Sequence, residues 1–104
     1  MPGVVVGVAN SAIADLNALR SWYVEQGAPA AGNRLIAEIF TRIEVLHDFP
    51  EIGRIVPEFG RHGLRELIHP PFRIVYRCSS SQVWVIRVWR SEQQLKLPPD
   101  PSTR

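Results

Sequence analysis

Apolar and polar positions follow one another along the chain in a pattern that predicts one strand, two helices and three further strands. Val4 to Val8 is an apolar run rich in β-branched residues, which favours a buried strand. Apolar residues then recur at helical spacing in two successive stretches, and they predict helices over residues 10–26 and 29–48. Three later stretches predict strands, at residues 64–68, 72–77 and 83–89.

Turn-forming residues separate the predicted elements. Asn10 or Ser11 is suited to cap the first helix, because a short side-chain oxygen can accept hydrogen bonds from the free amides of the first turn. Gly27 is expected to end this helix and Pro29 to begin the next, so the two helices form an antiparallel hairpin. Pro70-Pro71 separates two of the late strands, since neither proline can donate to a strand ladder.

The predicted order of elements, β-α-α-β-β-β, defines an α+β fold. The first strand must rejoin the later ones, because alone it could not pair its backbone groups. The segment Phe49–Arg54 is expected to break the second helix, and Pro57 to keep the following residues irregular. We expect residues 1–97 to form a single domain and the proline-rich residues 98–104 to form a flexible tail.

Length and composition place the chain among small globular proteins. It has 104 residues, of which 45% are hydrophobic, and its longest apolar run is far shorter than the roughly 20 residues that cross a bilayer. No Lys or Arg precedes Arg20, so the chain lacks the basic start of a secretory signal. Cys78 is the single cysteine, which excludes an internal disulfide and agrees with a reducing cytoplasm. We therefore expect a cytoplasmic protein.

The charges are distributed unevenly along the chain. Residues 1–60 carry four basic and seven acidic side chains, a charge of −3, whereas residues 61–104 carry eight basic and three acidic side chains, a charge of +5. All but one of the twelve cations are arginine, which suits bidentate contact with carboxylate or phosphate. The C-terminal half is therefore expected to meet an acidic partner.

Few residues suggest catalytic or metal chemistry. His47, His62 and His69 are scattered and have no ligand spacing typical of zinc, so no metal site is predicted. The glycines match no phosphate-binding pattern, and no cofactor is expected. Cys78 lies within a predicted strand, where a small packed residue is more common than a nucleophile.

Arginines and aromatic residues are interleaved in the late strands, and they form the main candidate site. The cations are Arg61, Arg65, Arg73, Arg77, Arg87 and Arg90, and the aromatic residues are Phe72, Tyr76, Trp84 and Trp89. One interpretation is an ordinary solvated face, on which single ion pairs contribute little. The other is a binding surface, since arginine beside aromatic rings suits both RNA and protein partners. The pattern does not choose between them.

Several short motifs together resemble a known family. They are Asp15-Leu16 with Trp22-Tyr23, then Leu46-x-x-x-Pro50-x-x-Gly53-Arg54, Arg65-Glu66-Leu67 and the run Phe72-Arg73-Ile74-Val75-Tyr76-Arg77. This ordered set, over residues 5–95, resembles the RelE/ParE superfamily of toxin–antitoxin toxins. The resemblance implies a helical hairpin packed on a small, mainly antiparallel sheet.

The superfamily contains two functional classes, and the resemblance separates them. RelE-like members are ribosome-dependent nucleases that cut messenger RNA, and the resemblance would place lysines near Leu64 and Glu66 and an arginine at Arg73. Here only Arg73 matches, and a nuclease would have to rely on it and on Arg65. ParE-like members, which inhibit DNA gyrase by binding, match the Pro-x-x-Gly-Arg and Arg-Glu-Leu segments better. We therefore expect a growth inhibitor that is not an enzyme. A ribosome-dependent endoribonuclease and a degenerate toxin that only binds its antitoxin remain the alternatives.

The resemblance also implies a partner. In this superfamily a small acidic antitoxin, here expected to carry a ribbon-helix-helix domain, folds its C-terminal segment on the toxin, which gives a hetero-oligomer. Gyrase or the ribosome would be the target. The residues expected to bind target or antitoxin are Arg65, Arg73, Arg77, Arg87, Trp89 and Arg90. Arg65 is also expected to form a partly buried ion pair with its neighbour Glu66.

Overall fold

The computed structural model describes residues 3–57 and 64–90. Its elements are β1 (Val5–Val8), α1 (Asn10–Glu25), α2 (Pro29–Glu44), a 3-10 turn (Val45–His47), β2 (Arg54–Ile55), β3 (Leu64–His69), β4 (Phe72–Cys78) and β5 (Gln82–Arg90). The predicted α+β fold is confirmed. Arg61, His62 and the predicted domain boundary at residue 97 lie outside the described residues.

The strands form one sheet of order β1-β5-β4-β3-β2. β1 runs parallel to β5, and the other neighbours are antiparallel, so the first strand does rejoin the last one. β2 was not predicted. It consists of Arg54 and Ile55 only, paired with β3, and two residues are too few to show any periodicity. The Phe49–Arg54 segment follows the end of the second helix, as expected, and the residues after Pro57 that were predicted to be irregular lie outside the described residues.

The helix boundaries follow the predicted turn residues, with two exceptions. The second helix was predicted to reach residue 48, but α2 ends at Glu44 and a 3-10 turn covers Val45–His47. Gly27 adopts φ +74° after α1, and Pro29 is the first residue of α2. The predicted side-chain cap of α1 is wrong: Asn10 lies inside the helix, and the backbone carbonyl of Ala9 accepts the first helical hydrogen bonds. Ser11 does not cap the helix either, because its hydroxyl donates to a carbonyl of β5.

Both helices cover one face of the sheet, which we call the helix face. Apolar residues of the helices meet alternate residues of the strands there and form the main core. The buried members are Ala12, Leu16, Ile36, Ile39, Ile43, Leu46, Leu67, Phe72, Ile74, Tyr76, Val83, Val85 and Val88. A smaller cluster contains Val56, Leu64, Val75, Ile86 and Trp89, and we call its side of the sheet the far face.

A bulge in β5 decides which face its last residues share. Val75 pairs with Arg87 but Tyr76 pairs with Val85, so Ile86 is the extra residue. Simple alternation from Val85 would direct Arg87 towards the helix face. The bulge shifts the phase by one residue and brings Arg87 to the far side of the strand.

Candidate functional site

A buried carboxylate, Glu66, joins three strands of the sheet. Its side chain is completely buried on the far face. Arg73 of β4 donates from Nε to Oε1 at 2.7 Å, and Arg54 of β2 donates from Nε to Oε2 at 2.5 Å. The Arg73 side chain is only 8% exposed. Glu66 therefore neutralises a guanidinium that is itself inside the protein, while Arg54 closes the pair from the solvent side.

The turn before β2 is locked to the sheet by the backbone of Gly53. Its amide donates to the buried hydroxyl of Tyr76 at 2.9 Å, and its carbonyl accepts from Nη1 of Arg65 at 2.8 Å. A Cβ at this position would lie 2.6 Å from the carbonyl oxygen of Glu66 and 2.7 Å from the Tyr76 hydroxyl. Only glycine fits without displacement, which explains why the Gly-Arg dipeptide occurs beside this sheet.

The predicted ion pair between Arg65 and Glu66 does not form. Neighbouring residues of a strand point to opposite faces, so the two side chains separate. Arg65 shares a face with Tyr76 and donates to the backbone carbonyls of Gly53 and Glu51, at 2.8 and 3.2 Å. Both Arg65 and Glu66 thus hold the turn and β2 to the sheet, through different partners.

Helix α1 takes the place of a neighbouring strand along the second half of β5. β1 pairs only with the first part of β5. Beyond it, the Ser11 hydroxyl donates to the Ile86 carbonyl at 2.6 Å, and the Asp15 carboxylate accepts the Val88 amide at 2.8 Å. Arg87 also donates to both oxygens of Asp15, from Nε and Nη2 at 2.8 Å each. Asp15 therefore satisfies the strand edge and fixes the Arg87 guanidinium in one orientation.

An apolar groove of about 390 Å³ lies between α1 and the end of β5, and we call it the α1–β5 groove. Its lining includes Trp22, which is 49% exposed, together with Phe72 and Trp89. The Arg87 guanidinium lies 4.5 Å from the centre of the Trp89 ring, and that of Arg90 lies 5.7 Å from the centre of Phe72. The groove thus presents the exposed Trp22 ring beside two cations that are held against the buried rings of Trp89 and Phe72, a composition typical of binding hot spots.

The predicted binding residues fall into three places. Arg87, Trp89 and Arg90 meet at the α1–β5 groove. Arg65 and Arg73 hold the β2 and β3 region as described above. Arg77 lies further along β4, between Trp84 of β5 and Leu64 of β3. The predicted residues are therefore spread over β3, β4 and β5, and the pairing of Trp89 with Arg73 connects two of these places.

The titratable groups give little support to nucleophilic or metal chemistry. Burial raises the pKa of the Tyr76 phenol, which the Gly53 amide and Arg65 oppose only in part, so the hydroxyl is neutral at physiological pH. Burial, and then Glu51, raise the pKa of the Cys78 thiol, which makes a thiolate scarce. No three His, Cys, Asp or Glu side chains gather into a metal site within residues 3–57 and 64–90. No helix in these ranges is long and apolar enough to cross a membrane.

The sequence alone did not identify Asp15, Ser11 or Trp22 as parts of the site. Ser11 and Asp15 are four residues apart, so they lie on one side of α1, and this spacing was the available signal. Their partners lie 75 and 72 positions away along the chain. Nothing local in a single sequence identifies such a pairing.

Comparison with known proteins identifies the family. The model of the family described as ParE toxin of type II toxin-antitoxin system, parDE, matches residues 6–95. Toxin RelE2 of Caulobacter vibrioides is 35% identical over 78 residues, which cover 74% of this chain and 83% of that protein. The chain therefore belongs to the ParE toxin family, within the RelE/ParE superfamily, and is a toxin of the type II toxin–antitoxin class.

Two solved structures share the fold. The chromosomal ParDE toxin–antitoxin system of Pseudomonas aeruginosa matches with a TM-score of 0.71 at 22% identity, over 84% of this chain and 95% of that chain. The RelBE2 toxin–antitoxin complex of Mycobacterium tuberculosis matches with a TM-score of 0.60 at 20% identity, over 86% and 93% of the two chains. One neighbour bears a ParE-type name and the other a RelE-type name, so fold similarity does not separate the two classes.

Proposed function

We propose that this toxin stops growth by binding a cellular target and does not cut RNA. The observation that carries the proposal is the buried Glu66–Arg73 pair. A nuclease of the RelE kind would need Arg73 beside the scissile phosphate. Here a phosphate would have to displace a buried carboxylate from a buried guanidinium, and separating such a pair costs several kcal/mol, about 3–5.

Arg65, the other cation that a nuclease would use, already makes hydrogen bonds within the fold. Its guanidinium donates to two backbone carbonyls that hold the turn before β2. General acid–base catalysis further needs a proton acceptor with a suitable pKa. Tyr76 has a raised pKa and its hydroxyl already accepts the Gly53 amide. These contacts favour structural roles for the residues that the nuclease alternative would use.

The proposed target is DNA gyrase, contacted through the α1–β5 groove. Membership in the ParE family supports the target, and the exposed Trp22 with Arg87 and Arg90 at the rim supports the surface. Large aromatic residues and arginine contribute most of the energy in many interfaces. Gyrase is a cytoplasmic enzyme, so the proposal also places the toxin in the cytoplasm.

A small acidic antitoxin is the second proposed partner. The structural neighbours are described as toxin–antitoxin systems, and the charge of +5 over residues 61–104 suits an acidic chain. We propose an antitoxin of the ribbon-helix-helix type whose C-terminal segment folds on the toxin as a hetero-oligomer. It would neutralise the toxin by covering the surface that gyrase needs.

A supercoiling assay with purified gyrase tests the proposed target. Wild-type toxin should inhibit supercoiling of a relaxed plasmid, and Trp22→Ala should weaken inhibition by about tenfold or more, the loss expected for a hot-spot aromatic residue. Val24→Ala is the matched control, because Val24 is an exposed apolar residue of the same helix outside the groove lining.

Three results would count against this function. Normal supercoiling at micromolar toxin would exclude gyrase as the target. Equal loss of inhibition in Trp22→Ala and Val24→Ala would exclude the groove as the contact. Growth that continues when the toxin is induced without antitoxin would favour a degenerate toxin that only binds its partner.

A further inference from the structure

The bulge in β5 turns two consecutive carbonyl groups towards β1 and α1. In a regular strand the carbonyls alternate between the two edges. Here the Val85 carbonyl accepts the Ala9 amide at 2.8 Å, and the carbonyl of the next residue, Ile86, accepts the Ser11 hydroxyl at 2.6 Å. Ile86 is the extra residue of the bulge, so the second carbonyl on this side is a consequence of the bulge.

Strand pairing ends just before the second carbonyl. The ladder between β1 and β5 ends at the pair of Val8 with Val85, and the chain enters α1 at Asn10. Ile86 is only 7% exposed, and a buried carbonyl needs a protein donor. The Ser11 hydroxyl supplies this donor from the first turn of α1. It therefore stabilises the bulge at the point where the backbone of β1 no longer can.

The bulge places two residues of the α1–β5 groove at once. Arg87 and Trp89 both follow it on β5, so the same shift of phase brings both to the far face. There the Arg87 guanidinium lies 4.5 Å from the centre of the Trp89 ring and donates to both carboxylate oxygens of Asp15. The arrangement of cation and ring at the groove thus depends on the bulge.

The spacing of residues along α1 matches the spacing of backbone groups along β5. Ser11 and Asp15 are four residues apart, which corresponds to a rise of about 6 Å along the helix. Their partners, the Ile86 carbonyl and the Val88 amide, belong to residues two apart on the strand, a span of roughly 6.6 Å. One turn of α1 therefore holds the bulge from both sides, with a donor at Ser11 and an acceptor at Asp15.

We propose that Ser11 is a positioning residue for target binding at the α1–β5 groove. Its hydrogen bond to Ile86 holds the bulge, and the bulge presents Arg87 against Trp89 in the orientation that the target contacts. Ser11 is not part of the groove lining, so it acts through Arg87 without touching the target. This inference rests on the proposed function, which makes the groove the contact for gyrase.

Proton exchange at two arginine side chains tests the positioning in the free toxin. The Nε–H of Arg87 donates to Asp15 and the Nε–H of Arg73 donates to Glu66, so both should exchange slowly with solvent, as NMR can measure. In Ser11→Ala, exchange at Arg87 should become about tenfold faster, the change expected for one lost hydrogen bond. Exchange at Arg73 should stay within about twofold. A general loss of stability would accelerate both, so Arg73 reports on the fold in the same sample.

Two further variants separate the Ser11 hydroxyl from general effects on the helix. Ser21→Ala is the matched control, because it makes the same change at an exposed position of α1 outside the groove lining and so gives a similar gain in helix propensity. It should leave Arg87 exchange and gyrase inhibition unchanged. Ser11→Thr keeps a hydroxyl at the position, and both properties should stay within about threefold of wild type.

Inhibition of purified gyrase provides the functional measurement. Ser11→Ala should need about tenfold more toxin than wild type to inhibit supercoiling by half. Three results would overturn the proposal. They are unchanged exchange at Arg87 in Ser11→Ala, equal acceleration at Arg87 and Arg73, and wild-type inhibition by a Ser11→Ala protein whose Arg87 exchanges fast.

Failure of this proposal and failure of the proposed function give different results. If wild type does not inhibit gyrase but Ser11→Ala accelerates exchange at Arg87 alone, the gyrase target is refuted and the positioning of Arg87 by Ser11 stands. If wild type inhibits gyrase and Ser11→Ala leaves Arg87 exchange unchanged, the positioning is refuted and the gyrase target stands.

Discussion

Glu66 and Arg73 form an ion pair inside the sheet, with Nε of the arginine 2.7 Å from Oε1 of the carboxylate. They lie diagonally on β3 and β4, and Arg54 binds the second carboxylate oxygen from β2. Together the three side chains link β2, β3 and β4, and β2 is otherwise held by a ladder of only two residues. It also withdraws from solvent the one arginine that matched the nuclease class, so stability and function depend on the same contact.

Removing the charge of Glu66 should destabilise the fold strongly. Glu66→Gln leaves the Arg73 guanidinium buried without its counter-ion, and the free energy of unfolding should fall by about 3–5 kcal/mol. Urea unfolding measures this change. Glu44→Gln, at an exposed position, is the control and should stay within about 0.5 kcal/mol of wild type. Similar losses in both variants would show that the pair is unimportant.

The hydrogen bond between Gly53 and Tyr76 should also contribute to the stability of the fold. Tyr76→Phe leaves the buried Gly53 amide without its acceptor, which should cost about 1–3 kcal/mol. Tyr23→Phe is the control, because Tyr23 lies on α1 and does not contact the turn at Gly53. We expect a lower melting temperature for Tyr76→Phe and an unchanged one for Tyr23→Phe. A Tyr76→Phe melting temperature equal to that of wild type would show that the hydrogen bond to Gly53 does not stabilise the fold.

Stability should fall at alkaline pH because of Tyr76. Burial raises the pKa of its phenol in the folded state above the ordinary value of 10.0. Between these two pKa values the unfolded chain has lost the proton that the folded chain keeps, so raising the pH favours unfolding. The contribution is complete below pH 10 and is lost as the pH rises through the folded pKa. Between pH 9 and 11 the free energy of unfolding should decrease less steeply in Tyr76→Phe than in wild type. Equal slopes for the two proteins would contradict this assignment to Tyr76.

Asp15 should support target binding at the α1–β5 groove because it orients the Arg87 guanidinium. Asp15→Asn removes the charge that holds the guanidinium over Trp89, although it keeps an acceptor for the Val88 amide. Inhibition of gyrase should weaken more than stability does, because the fold keeps the strand-edge hydrogen bond. Asp48→Asn, at an exposed position, is the control. The measurements are gyrase inhibition as a function of toxin concentration and thermal unfolding of each variant. Wild-type inhibition by Asp15→Asn would show that Asp15 does not position Arg87 for binding.

The sequence predicted those elements that a pattern within a few neighbouring residues indicates. It missed contacts between residues that are far apart along the chain. Apolar periodicity identified both helices and the long strands, and Gly27 and Pro29 marked the hairpin, because each pattern lies within a few residues. The bulge at Ile86 left no such mark, yet it decides the face on which Arg87 lies. The partner of Glu66 was also misassigned, since the adjacent arginine was chosen over one that only the strand register brings near.

The most direct test of the central claim is a map of messenger RNA ends after induction of the toxin without its antitoxin. We expect that growth stops while ribosome-bound messengers stay uncut. Arg73→Ala, combined with an antitoxin-binding measurement, provides the comparison. Cleavage of ribosome-bound messenger by wild type, abolished in a folded Arg73→Ala protein that binds antitoxin normally, would contradict the account.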